Sequence, residues 1–150
     1  MKIVVNKCYG GFGVSVAVLK ELVARGSDAI EICTPRQYYG GDNEKYHGTK
    51  DWMKRWAEDF AQYKSIGDGF KSGRNEFNIY KDDLIYSLKS KYDNELRTNK
   101  DLIEVIESIG VEKSSASLAK LAIIEVPDGI EWEIDDYDGI ETIREKHRSW

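Results

Sequence analysis

The chain is predicted to form an α+β or α/β single domain. We expect a mixed β-sheet of about four or five strands, with an N-terminal β-α-β unit and a C-terminal β-hairpin, packed by about three to five helices. Three observations predict this. Residues 1–33 read as strand, glycine loop, helix and strand. Residues 118–134 hold the most strand-like stretch, interrupted by Pro127-Asp128-Gly129. A length of 150 residues is enough to bury a core without disulfide or metal staples.

Ile3, Val4 and Val5 make the first strand, and Gly10, Gly11 and Gly13 permit a tight reversal. Val14, Val18, Leu19, Leu22 and Val23 then recur at helical spacing, with Gly26 placed to cap the helix. Asp28 to Cys33 gives a second strand, which favours a parallel pair with the first. Residues 34–48 turn polar, and residues 34–95 as a whole read as a variable, aromatic-rich insertion within the one domain. Inside it, Thr49 opens a helix whose Trp52, Trp56, Phe60 and Tyr63 form an aromatic stripe. Residues 65–76 read as a loop, Phe77 to Tyr80 as a strand, and Leu84, Ile85, Leu88 and Tyr92 as a helix begun near Asp82. Asn99 caps the next helix, whose Leu102, Val105, Ile106 and Ile109 face inward and which Gly110 ends. Ser114 to Ser117 is a linker. Leu118 to Val126 and the alternating Ile130 to Ile134 are expected to pair as an antiparallel hairpin. After a turn at 135–139, Ile140, Ile143 and His147 share one side of a final short helix, and the terminus is expected to pack back on the body.

Composition narrows the function. A net charge of −5 argues against direct nucleic-acid binding, which needs Lys and Arg to neutralise phosphates. No apolar run approaches the roughly 20 residues that span a bilayer. Cys8 and Cys33 are too few for a disulfide framework, so reduced thiols and a cytoplasmic location are expected. Asp135, Asp136 and Asp138 could gather a divalent cation, but the same residues make ordinary turns, and neither metal nor cofactor is expected.

The glycine loop is the candidate site. A helix starting there aims free N–H groups and the positive end of its dipole at a ligand, which suits an anion. Gly11 and Gly13 supply only the first pair of the dinucleotide-binding fingerprint, and the P-loop ending is absent. Lys7, Gly10, Gly11, Gly13, Ser15, His147 and Arg148 are candidate polar contacts to a small anionic, nucleotide-like ligand, with Tyr9, Phe12 and Trp150 as stacking surfaces. An alternative makes Cys8 a nucleophile and His147 its base, oriented by Asp136 or Asp138, with His47 a weaker base. Tyr38, Tyr39, Trp52 and Trp56 are candidate interface residues, either in a homodimer or higher homo-oligomer or for blocking another protein.

The opening Asn6-Lys-Cys-Tyr-Gly-Gly-Phe-Gly13 with Ser15 is one half of a likeness. The other half is Ala119-Lys-Leu, Glu125-Val-Pro-Asp128, Glu131-Trp-Glu-Ile134, Tyr137-Asp-Gly139 and Glu145-Lys-His-Arg-Ser-Trp150. Together they resemble a family of short proteins encoded by bacteriophages and prophages, with no assigned activity; residues 34–95 carry none of the likeness. The resemblance implies a small accessory protein made in the bacterial cytoplasm. Such proteins often counter host defence, by blocking a protein or by sequestering a signalling nucleotide. Combined with the glycine loop, it gives the expectation of a non-catalytic protein that sequesters a cyclic nucleotide or ADP-ribose derivative.

Overall fold

A computed structural model describes residues 1–40, 49–73 and 77–146. The fold is α+β, with helices packed on antiparallel sheets. Strand β1 (Lys2–Asn6) leads through the glycine loop to α1 (Val16–Arg25) and β2 (Ile30–Cys33). Thr34 then starts the one-turn α2 (Pro35–Tyr38) with a reciprocal capping box to Gln37. After α3 (Thr49–Phe60) come four strands: β3 (Lys64–Gly67), β4 (Phe70–Ser72), β5 (Asn78–Lys81) and β6 (Leu84–Leu88). The short α4 (Asn94–Arg97), α5 (Lys100–Ile109) and the one-turn α6 (Val111–Ser114) precede β7 (Leu121–Glu125), β8 (Trp132–Tyr137) and β9 (Ile140–Glu145).

The predicted caps form. Gly26 takes a left-handed conformation at φ +63° and closes α1. The Asn99 side chain accepts the Leu102 N–H at 3.0 Å and starts α5. Val18, Leu19 and Leu22 of α1 meet Leu102, Val105 and Ile106 of α5 in one core, which also takes in Val4, Leu121 and Ile79. Each such side chain contributes about 1.5–3 kcal/mol on burial.

Strand pairing departs from expectation. β1 and β2 are not a parallel pair: β1 pairs antiparallel with β7, Val4 opposite Ile123, and β2 lies at the edge of a separate five-stranded sheet of order β2-β6-β5-β4-β3. A helical crossover permits parallel pairing without requiring it. Ile3, Val4 and Val5 are fully buried, and β7 offers a matching apolar partner. β2 exposes Glu31 and Ile32, which suits an edge.

Three hairpins share one device, of which only the turn within 135–139 is expected from sequence. Asp68-Gly69, Asp82-Asp83 and Asp138-Gly139 are two-residue turns between directly paired neighbours, and all six residues have positive φ. Such turns match the right-handed twist of the flanking strands, and Asp tolerates this backbone region better than most residues. Residues 65–76 therefore contain the β3–β4 hairpin instead of a plain loop, and residues 84–88 are strand instead of helix. The C-terminal hairpin is present one strand further along than expected, as β8–β9, and β9 replaces the predicted helix at Ile140 and Ile143. The predicted linker at 114–117 contains a bridge from Ser115 to Val14. His147 to Trp150 lie outside the described residues. No helix among the described residues is long and apolar enough to cross a membrane.

Candidate functional site

Two of the loop glycines are needed for chain packing. A Cβ on Gly10 would stand 1.6 Å from the Leu118 carbonyl oxygen, and one on Gly13 would stand 3.1 Å from Ala116 Cβ. The loop is stitched to the segment after α6: the Ser15 N–H donates to Ser114 O at 2.8 Å and the Ala116 N–H to Gly13 O at 3.1 Å. The Ser15 hydroxyl donates to Lys113 O at 2.7 Å, so it does not cap α1. From the other side the Asp138-Gly139 turn presses on the loop, where a Cβ on Gly139 would meet Tyr9 O at 2.6 Å and Gly11 N at 2.7 Å. Gly11 differs from the other loop glycines. Its φ is +88°, and a Cβ there would find only the Lys91 ammonium, 4.0 Å away.

Beside Gly11 the loop borders a groove of about 390 Å³. Phe12, Gly13, Lys89, Lys91 and Phe77 are among the residues that line it, Phe77 with 69% of its surface exposed. Among the described residues no carboxylate lines it. Lys91 Nζ also sits over the Tyr92 ring at 5.3 Å. Two ammonium groups, apolar walls and an exposed aromatic face are what an anion attached to a flat ring requires. The first turn of α1 opens elsewhere, on a larger cleft of about 720 Å³. There Lys20 is paired with Asp68 at 3.1 Å and Glu21 adds a second carboxylate, so positive charge is already balanced. Of the two, the smaller groove suits an anion.

A buried ionic network lies under the groove. Arg97, 2% exposed, donates from Nη1 and Nη2 to the two oxygens of Glu141 at 2.8 and 2.9 Å. Its Nε–H donates to Lys91 O at 2.8 Å, and its guanidinium carbon lies 3.7 Å from the Phe12 ring centroid. Asn6 is fully buried beside this pair: its backbone N–H donates to Glu141 Oε2 at 2.8 Å, and its Nδ2 donates to Cys8 O and Gly139 O, both at 2.6 Å. Lys7 Nζ donates to Glu141 O at 2.8 Å. A buried pair of this kind is tolerated only when its remaining lone pairs and N–H groups are satisfied, as these are.

The predicted residues therefore separate. Phe12, Gly13 and Gly11 reach the groove or its border, and Tyr9 is exposed on the loop. Lys7, Gly10 and Ser15 are engaged by the protein itself. The Cys8 thiol donates to Leu118 O at 3.0 Å and borders a different depression, with Glu112 and Lys120. Asp136 accepts the Gly139 N–H at 2.8 Å, and Asp135 pairs with Arg144 at 2.8 Å, so both serve the hairpin. His47, His147, Arg148 and Trp150 lie outside the described residues.

The aromatic stripe packs within its own chain. Trp56 stacks on Phe60 at 4.8 Å, and Phe60 meets Tyr80 of β5 edge-on at 5.1 Å. The Trp52 and Trp56 indole N–H groups are shielded from solvent without an acceptor among the described residues, while Tyr38 keeps an exposed edge. Asn78 ties this cluster together, donating to Tyr38 Oη at 3.0 Å and accepting from Tyr63 Oη at 3.2 Å. Burial, with Tyr63 and Asp59 nearby, raises the Tyr39 hydroxyl above its ordinary range. Burial and the Asp83 carboxylate push that of Tyr80 up to about 12.

Phe77, Lys89, Lys91, Arg97 and Glu141 were missed from sequence. The Lys89-Ser-Lys91 alternation beside Tyr92 is a readable signal, which helical spacing through Leu84, Ile85, Leu88 and Tyr92 obscures. Arg97 and Glu141 had none, since isolated charges normally read as solvated. No family model, curated protein or solved structure matches the chain.

Proposed function

We propose that the chain is a non-catalytic binding protein that sequesters a small nucleotide-like anion, of cyclic nucleotide or ADP-ribose type, in the groove beside the glycine loop. Its setting would be the bacterial cytoplasm, as a phage accessory protein that counters host defence. The supporting observation is the joining of Lys89 and Lys91 with Phe12 and the exposed Phe77 in a groove that no carboxylate lines among the described residues. Lysines would meet the phosphates and the aromatic face would accept a base or ribosyl ring. The thiol alternative is less well supported, because the Cys8 proton is already committed to a carbonyl acceptor.

Titration with a panel of cyclic nucleotides, ADP-ribose and ADP tests this. Saturable binding should weaken about tenfold in Lys89→Met and in Lys91→Met, as expected for loss of one charge-assisted contact. Saturable binding that both variants leave unchanged, or no binding across the panel, would contradict it.

Self-association has a separate basis. Ile32 stands 59% exposed on β2, which among the described residues is an edge of the five-stranded sheet, and an edge with an apolar side chain invites a second strand. We propose a homodimer joined there. Sedimentation should show a species of twice 17.2 kDa that Ile32→Lys converts to monomer. A single monomeric species at micromolar concentration would contradict it.

A further inference from the structure

We infer that Arg97 and Glu141 are positioning residues that couple docking of the β8–β9 hairpin to the shape of the lysine groove. Arg97 touches the groove at two points without lining it. Its guanidinium carbon lies over the Phe12 ring at 3.7 Å, and the Lys91 carbonyl accepts its Nε–H at 2.8 Å. The other edge of the same planar group is forked onto Glu141 of β9. A guanidinium is rigid, so a movement of Glu141 that turns the fork also turns the plane under Phe12 and withdraws the N–H from Lys91.

The hairpin is fastened to β1 around the same carboxylate. Glu141 Oε2 accepts the Asn6 N–H, Glu141 O accepts from Lys7 Nζ, and Gly139 O accepts from Asn6 Nδ2. Hairpin, β1 terminus and Lys91 thus share one hydrogen-bonded unit, which Phe12 joins through its ring contact with Arg97. An apolar pair could bury the same volume; the charged pair adds a requirement for one geometry. Any ligand that favours the present placement of Phe12 and Lys91 must favour the docked hairpin by the same factor, because coupling between two sites is reciprocal.

Amide hydrogen exchange tests the coupling in the full chain, with ADP as probe. In Gly139→Ala the added Cβ lifts the turn from Tyr9 and Gly11, and in Glu141→Gln the fork loses its charge. Without ligand, both variants should speed exchange at 132–145 and also at 89–92, the segment that Arg97 joins to the hairpin. ADP should slow exchange at 132–145 in the native protein, and its affinity should fall at least fivefold in Gly139→Ala. Ile79→Val, a mild core substitution on β5, controls for general loosening and should leave both readouts at native values. Faster exchange confined to 132–145 in Gly139→Ala would overturn the inference, even if Glu141→Gln fails to fold. The ADP arm rests on the binding function proposed above. If ADP does not bind the native protein, that function loses support, while the ligand-free arm still decides the coupling.

Discussion

Gly10, Gly11 and Gly13 stand within four residues of one another and serve different ends. Gly10 is glycine because the Leu118 carbonyl occupies the space of a side chain, so Gly10→Ala should lower stability by about 2–4 kcal/mol, measurable as a drop in denaturant midpoint. Gly11 faces open space and needs only its positive φ; Gly11→Ala should cost about 1 kcal/mol and act mainly on ligand binding. Cys8→Ser should leave binding within a few-fold, since a hydroxyl can also donate to Leu118 O, whereas a nucleophile would lose orders of magnitude in rate. The sequence announced the glycines but not their division of labour, which depends on residues 116, 118 and 139 arriving from the far end of the chain. Tyr80 gives a test in pH. Its hydroxyl holds its proton more tightly folded than unfolded, so its contribution to stability is complete below about pH 10 and falls as pH rises toward the folded value of about 12. Tyr80→Phe should flatten that decline in denaturation curves taken across the window.

Among the elements, those with a local signature were legible and those defined by a turn were not. Gly26 and Asn99 fixed the ends of α1 and α5 because caps act within one turn of chain. β6 was misread because Leu84, Ile85 and Leu88 satisfy helical spacing, while the deciding feature, Asp82-Asp83 in a left-handed turn, carries no glycine to announce it. That error also concealed Lys89 and Lys91, which project toward the glycine loop only because β6 runs as a strand. Asp82 has φ +51°, where a β-branched side chain is strained. Asp82→Val should therefore destabilise the protein by about 1–2 kcal/mol, and Asp82→Gly should not; thermal melts of the two compared with native would show it.

Across the whole molecule, the ends meet. β1 and β7 pair over their full length, and the β8–β9 turn closes on the glycine loop, so residues from the two ends of the described chain lie together. Which strand β1 would choose could not be read locally: β2 and β7 are both short and apolar, and the choice was settled by the burial of both faces of β1. The site was half legible for the same reason. Its loop is continuous in sequence, while its lysines and buried ion pair come from residues 89 to 141 and meet only in the fold.

Mass spectrometry of the small molecules released when protein purified from phage-infected cells is heat-denatured addresses sequestration most directly. The native chain should release an intact nucleotide-like compound in near-stoichiometric amount, and a Lys89→Met, Lys91→Met double variant that remains folded should release little. No compound from the native chain, or a chemically altered product whose formation depends on Cys8, would contradict sequestration at this groove.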